Sequence, residues 1–116
     1  MIAVLGSFRF PVEALEQARP LMRAVIEATL AETGCQAYSY AEDVAEPGLF
    51  RVMEQWDSRE ALSAHFQTPH MKAWAERRAA LGFFDRKIAL HEIGAAEELQ
   101  VAAGRATQTT VCHPVR

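Results

Sequence analysis

Two histidines five positions apart, His65 and His70, are the side chains of this chain best suited to moving a proton, because an imidazole ordinarily titrates close to neutral pH. Both stand among apolar neighbours. His65 follows Leu62 by three residues and Ala61 by four, so on a helix all three share one side. His70 precedes Trp74 by four and lies on the same side of the next helix. If those sides face one interior space, His65 and His70 are the candidate catalytic bases, and Trp56, Trp74, Tyr38 and Phe66 are candidate walls for a substrate. A ring-lined chamber with few polar groups suits a flat, quinol-like or polycyclic aromatic small molecule.

Each residue also has a plainer reading. His65 could hydrogen-bond a backbone carbonyl inside the core, and His70 could point to solvent from the first turn of its helix. Trp56, at a strand end, could be core. Tyr38 and Tyr40 share a strand face and could belong to a subunit interface, where tyrosine is favoured. Glu54, between Val52 and Trp56, is expected to be partly buried and paired with Arg51 or Arg86.

Other chemistries find less to rest on. His65 and His70 lack the HxxxH spacing that puts two metal ligands on one helix face, and no cysteine cluster exists, so no metal is expected. There is no glycine-rich phosphate loop and no GxSxG elbow.

These side chains need elements to hold them, and the pattern supplies a definite order. Residues 2–10 alternate as a strand that Pro11 ends. Over 12–32, Leu15, Ala18, Met22, Val25 and Thr29 recur at helical spacing; Pro20 predicts a kink or restart, and Gly34 a left-handed stop. Residues 35–43 and 49–56 alternate again around a Glu46-Pro47-Gly48 turn, which reads as a hairpin. Asp57-Ser58-Arg59-Glu60 reads as a capping box with Asp57 as acceptor, opening a short helix through Phe66. Thr68-Pro69 caps another helix running to Leu81 and Gly82, and 85–93 is the last strand. Strand, helix, strand, strand, helix, strand is the α+β, ferredoxin-like split βαββαβ arrangement with an antiparallel sheet. Helices cover one face of such a sheet. Because strand one is apolar on both faces, two chains are expected to pack sheet to sheet as a homodimer. Residues 95–116 lack periodicity and form a tail, either loose or an arm on the partner chain through Thr109–Cys112.

Composition sets the outer limits. The 116 residues fit one domain, 50% hydrophobic and 23% charged. A net charge of −3 gives no footprint for nucleic acid, and Arg77-Arg78 reads as a solvated helix face. No apolar run approaches the roughly 20 residues of a membrane span, and the apolar start reads as a strand rather than a signal peptide. Cys35 and Cys112 have no CxxC partner and read as reduced thiols of a cytoplasmic protein.

Residues 1–94 resemble the antibiotic-biosynthesis monooxygenase family of small dimeric α+β barrels. The resemblance is carried by Glu32-Thr33-Gly34-Cys35 with Tyr38, Glu42-Asp43 before Pro47, Glu54-Gln55-Trp56, Ala61-Leu62, His65 and Thr68-Pro69-His70. It implies cofactor-free oxygenation: a base removes a proton from a quinol-like or anthrone-like substrate, and the electron-rich anion reduces dioxygen without flavin or metal. The family also holds heme-degrading members, whose pattern has an asparagine in strand one. Strand one here offers only Ser7 among neutral polar residues. A sugar-phosphate isomerase of the same fold would need a cationic site, and the sequence shows only isolated arginines such as Arg9 and Arg51. A dimer that binds an apolar small molecule without turnover is the reading from a different class.

Overall fold

A computed structural model describes residues 1–100; the tail beyond, with the expected Thr109–Cys112 arm, lies outside the described residues. The chain forms β1 (Ile2–Arg9), α1 (Leu15–Leu30), β2 (Cys35–Glu42), β3 (Leu49–Trp56), α2 (Arg59–His65), α3 (Pro69–Ala80) and β4 (Phe84–Glu92). The strands make one antiparallel sheet in the order β2-β3-β1-β4, the ferredoxin-like topology expected from the element order.

The apolar stripe of α1 is the one that its spacing marks: Leu15, Ala18, Met22, Val25 and Thr29 are its buried residues. A 3-10 turn at Val12–Ala14 precedes it. Pro20 does not split the helix, which runs unbroken from Leu15 to Leu30. The carbonyl of Glu16 loses its helical donor to Pro20, but both residues are exposed, so water can take that bond. Gly34 then turns the chain at φ 87°. A side chain there would be strained and would place its Cβ 2.6 Å from that of Ala61, so only glycine lets the α1–β2 turn rest against α2.

Register fixes which strand faces meet the helices. Val4 pairs with Glu54 and Phe8 with Phe50 across β1 and β3, while Tyr38 pairs with Glu54 across β2 and β3. These residues look toward the helices and are buried, together with Ile2, Val52 and Trp56. Phe8 anchors an aromatic cluster, stacked on Phe50 at 5.6 Å and edge-on to Tyr40 at 5.1 Å. On the opposite face Leu5 and Met53, directly paired, are 47% and 42% exposed.

Two caps set α2 and α3. Ser58, not Asp57, is the N-cap of α2, its Oγ accepting from the Ala61 N–H at 3.1 Å. Asp57 instead accepts from Gln36 Nε2 at 2.7 Å, joining the strand end to β2. Glu60 therefore falls one residue short of the N3 position that a capping box needs. Thr68 caps α3 as expected, accepting from the Met71 N–H at 3.3 Å, and its hydroxyl also donates to the His65 carbonyl at 2.8 Å.

Candidate active site

His65 and His70 lack HxxxH spacing because a helix break separates them. The break brings them together. His65 is the last residue of α2 and His70 the second of α3, and their ring centroids lie 6.3 Å apart. Between them reaches Glu32, from the turn that leaves α1. One oxygen, Oε2, takes both hydrogen bonds: 2.8 Å from His65 Nδ1 and 2.6 Å from His70 Nε2. A carboxylate oxygen accepts, so each of those nitrogens is assigned the proton.

This tautomer decides what His65 can do. With the proton on Nδ1, Nε2 keeps its lone pair. That atom is buried and has no hydrogen-bond partner among the described residues. The ring is 1% exposed. Burial lowers its pKa, and the neighbouring Glu32 partly opposes the shift. His65 is therefore neutral at neutral pH, an oriented imidazole with an unused acceptor, as in any histidine that a carboxylate holds in place.

Around it the rings are close. Trp56 lies 4.8 Å from His65, Phe66 5.3 Å and Tyr38 5.4 Å, centroid to centroid. Tyr38 and Tyr40 share a hydroxyl–hydroxyl hydrogen bond of 2.7 Å. Burial raises both phenols, Tyr40 to about 12, so both stay protonated. Glu54, raised chiefly by burial, accepts from Trp56 Nε1 at 2.9 Å. That indole, rather than Arg51 or Arg86, is its partner; Arg51 pairs with Asp43 at 3.4 Å.

The single chamber expected from sequence is instead two spaces. His65, Tyr38 and Phe66 line an interior cavity of about 30 Å³, with Tyr40, Glu54, Met71, Arg78 and Arg86 also at its wall. His70 and Trp74 line a separate cleft of about 140 Å³ between α1 and α3, against Leu21, Val25 and Arg77. Trp56 lines neither and packs behind His65. Trp74, at the cleft, stacks at 6.2 Å on Tyr40, a wall residue of the interior cavity.

Three residues in this site went unassigned in sequence. Glu32 was visible only as part of the turn motif. Arg78 belonged to an apparently solvated pair, yet it is half-buried, 4.4 Å from the Phe83 ring and 5.8 Å from that of Trp74. Arg86 signalled only a partner for Glu54.

Glu32, His65 and His70 also form a set that could hold a metal ion, with ligand atoms within 4.8 Å of one another. As arranged, 2.8 and 2.6 Å are hydrogen-bond lengths. An ion with ligands at about 2.1 Å would hold neighbouring ligand atoms about 3.3 Å apart. The present geometry shares protons.

The sequence model of the antibiotic biosynthesis monooxygenase family matches residues 1–77. The chain belongs to that family. It is 32% identical over 98 residues to the Synechocystis protein sll1783, covering 84% of this chain and 67% of that one. It is 40% identical over 60 residues to the Escherichia coli probable quinol monooxygenase YgiN, covering 45% of this chain and 58% of YgiN. A crystal structure of a Deinococcus radiodurans chain carrying the same family description superposes with a TM-score of 0.81 at 29% identity, covering 86% of this chain and 99% of that chain. No helix among the described residues is long and apolar enough to cross a membrane.

Proposed function

We propose that this protein is a cofactor-independent monooxygenase acting on a quinol-like aromatic, with His65 as the general base. The observation that carries this is the buried, unpartnered Nε2 of a histidine whose other nitrogen is held by Glu32. A substrate hydroxyl reaching that cavity gives its proton to Nε2. Imidazolium forms beside the Glu32 carboxylate, which stabilises it. The phenolate left behind is electron-rich and is oxidised by dioxygen. A quinol plus dioxygen yields a hydroxyquinone plus water, with one oxygen atom in each product. The protein supplies the base, the apolar setting and the orientation; no flavin or metal enters the scheme. The likeness to YgiN, a probable quinol monooxygenase, supports the substrate class.

Space limits the reading and tells how entry occurs. About 30 Å³ holds a water or two, not a ring. Phe66, 48% exposed at the end of α2, and Met71 on α3 are wall residues that must swing aside. The tightness of this space favours one alternative, a protein that binds a small apolar molecule without turning it over. Oxygen uptake with a panel of hydroquinones separates the two. Turnover that His65→Ala abolishes supports the oxygenase. Ligand-dependent thermal stabilisation with no oxygen consumed supports binding alone.

The bare sheet face, where Leu5 and Met53 are exposed, supports a homodimer packed sheet to sheet. Sedimentation at micromolar concentration tests it: a monomer of wild type, or an unchanged dimer of Leu5→Lys/Met53→Lys, removes that surface from the assembly.

A further inference from the structure

The wall of the His65 cavity carries charge that proton abstraction does not use. Arg78 and Arg86 both line it, and neither makes an ion pair among the described residues. Of the other described arginines, Arg9, Arg19, Arg51 and Arg59 each meet a carboxylate, while the exposed Arg23 and Arg77 do not. Arg78 is held in another way, its guanidinium over Phe83 at 4.4 Å, which fixes the group without neutralising it. Arg86 repels Arg78, and Glu54, the one carboxylate among the residues lining the cavity, interacts with Arg86. Two positive charges against one negative leave the wall one charge in excess. A guanidinium is a planar donor fork suited to a carboxylate.

We propose that Arg78 and Arg86 form a monoanion subsite, so that the ligand of this cavity is a hydroxy-aromatic acid whose carboxylate rests on the arginines while its hydroxyl faces His65. This deepens the oxygenase reading and rests on the same cavity, but it concerns recognition, which is measurable without turnover. It also gives a partner to the half-buried Arg78, whose charge is disfavoured by burial and by Arg86, which stands exposed to solvent at the same wall. The ligand's own anion completes the set. Tyr38 and Tyr40, both protonated, add hydroxyl groups at the same wall.

The test compares two fluorescent probes that differ only in the acid, 6-hydroxy-2-naphthoate and 2-naphthol, titrated into the full-length protein at low and high salt. The naphthoate is expected to bind about tenfold more tightly at low salt, with the gap narrowing as salt rises. Arg78→Gln and Arg86→Gln are each expected to shrink the gap, and together to bring it below about threefold. Far-UV circular dichroism of each variant confirms that it folds. Equal affinity for the two probes overturns the subsite. So does a gap that survives the double substitution, or the absence of binding of either probe at millimolar concentration. A 2-naphthyl phosphate that outcompetes the naphthoate by about tenfold or more also overturns it, because the wall then prefers a dianion. His65→Ala separates the two readings: it is expected to abolish oxygen uptake and to keep the naphthoate preference. Oxygen uptake without that preference overturns the subsite and leaves the oxygenase standing. Preference without uptake of oxygen by any probe does the reverse.

Discussion

His65 and His70 are the same side chain, bonded to the same carboxylate oxygen, in opposite surroundings. His65 is enclosed, faces rings and phenols, and has a nitrogen with nothing to bond. His70 is 26% exposed and borders an open, apolar cleft. Residue type and partner are the same in both; what sets His65 apart as the proposed base is its unsatisfied, buried Nε2. His70 instead occupies the second acceptor direction of Glu32, which holds the carboxylate where His65 needs it.

The contrast can be broken from its strongest point. His65→Ala is expected to lower kcat for hydroquinone oxidation by about 10²–10⁴-fold, while His70→Ala lowers it by less than about tenfold; steady-state oxygen uptake measures both. Equal losses would mean the two histidines share the work. Glu32→Gln keeps an acceptor but removes the charge that stabilises imidazolium, and a fall of about tenfold to a hundredfold in kcat with little change in KM is expected. Gly34→Ala acts on the scaffold of the same contact. Its positive φ and the approach to Ala61 predict a loss of about 1–3 kcal/mol in urea unfolding.

The smallest effect is one of pH. The pKa of His65 is lowered on folding, so the unfolded chain binds a proton more readily. Its stabilising contribution is complete above the unfolded pKa near 6.5 and declines as pH falls through the lowered folded value. The kcat/KM profile should likewise hold its plateau below pH about 6.5 before dropping. A profile that breaks at or above that point would place the essential base in a more solvated position than that of His65.

What sequence reading could reach was local. The stripe Leu15–Thr29 on α1, the alternation of β1 to β3, and the Thr68 cap each depend on neighbours a few residues away, and each is seen in the structure. The cap of α2 was misplaced by one residue because Asp57 and Ser58 both offer an acceptor, and only the contact with Gln36 tells which is occupied elsewhere. The Glu32 contacts cross 33 and 38 residues, and no periodicity encodes such a meeting. Arg78 misled for a related reason. Its neighbour Arg77 is exposed, and a charged pair in a helix looks solvated until Phe83, beyond the next turn, is seen beneath one of the two.

Thr68 carries a consequence of its own. One hydroxyl ties the end of α2 to the start of α3, giving its hydrogen to the His65 carbonyl and receiving that of the Met71 amide. That oxygen atom, outside the pocket, thus adds to the Thr68 N–H bond to the same carbonyl in setting the spacing between His65 and His70. Thr68→Val, which keeps the shape and deletes that atom, would detune the proton acceptor without touching anything the substrate meets, offering an adjustment screw for the chemistry at a site where no ligand competes.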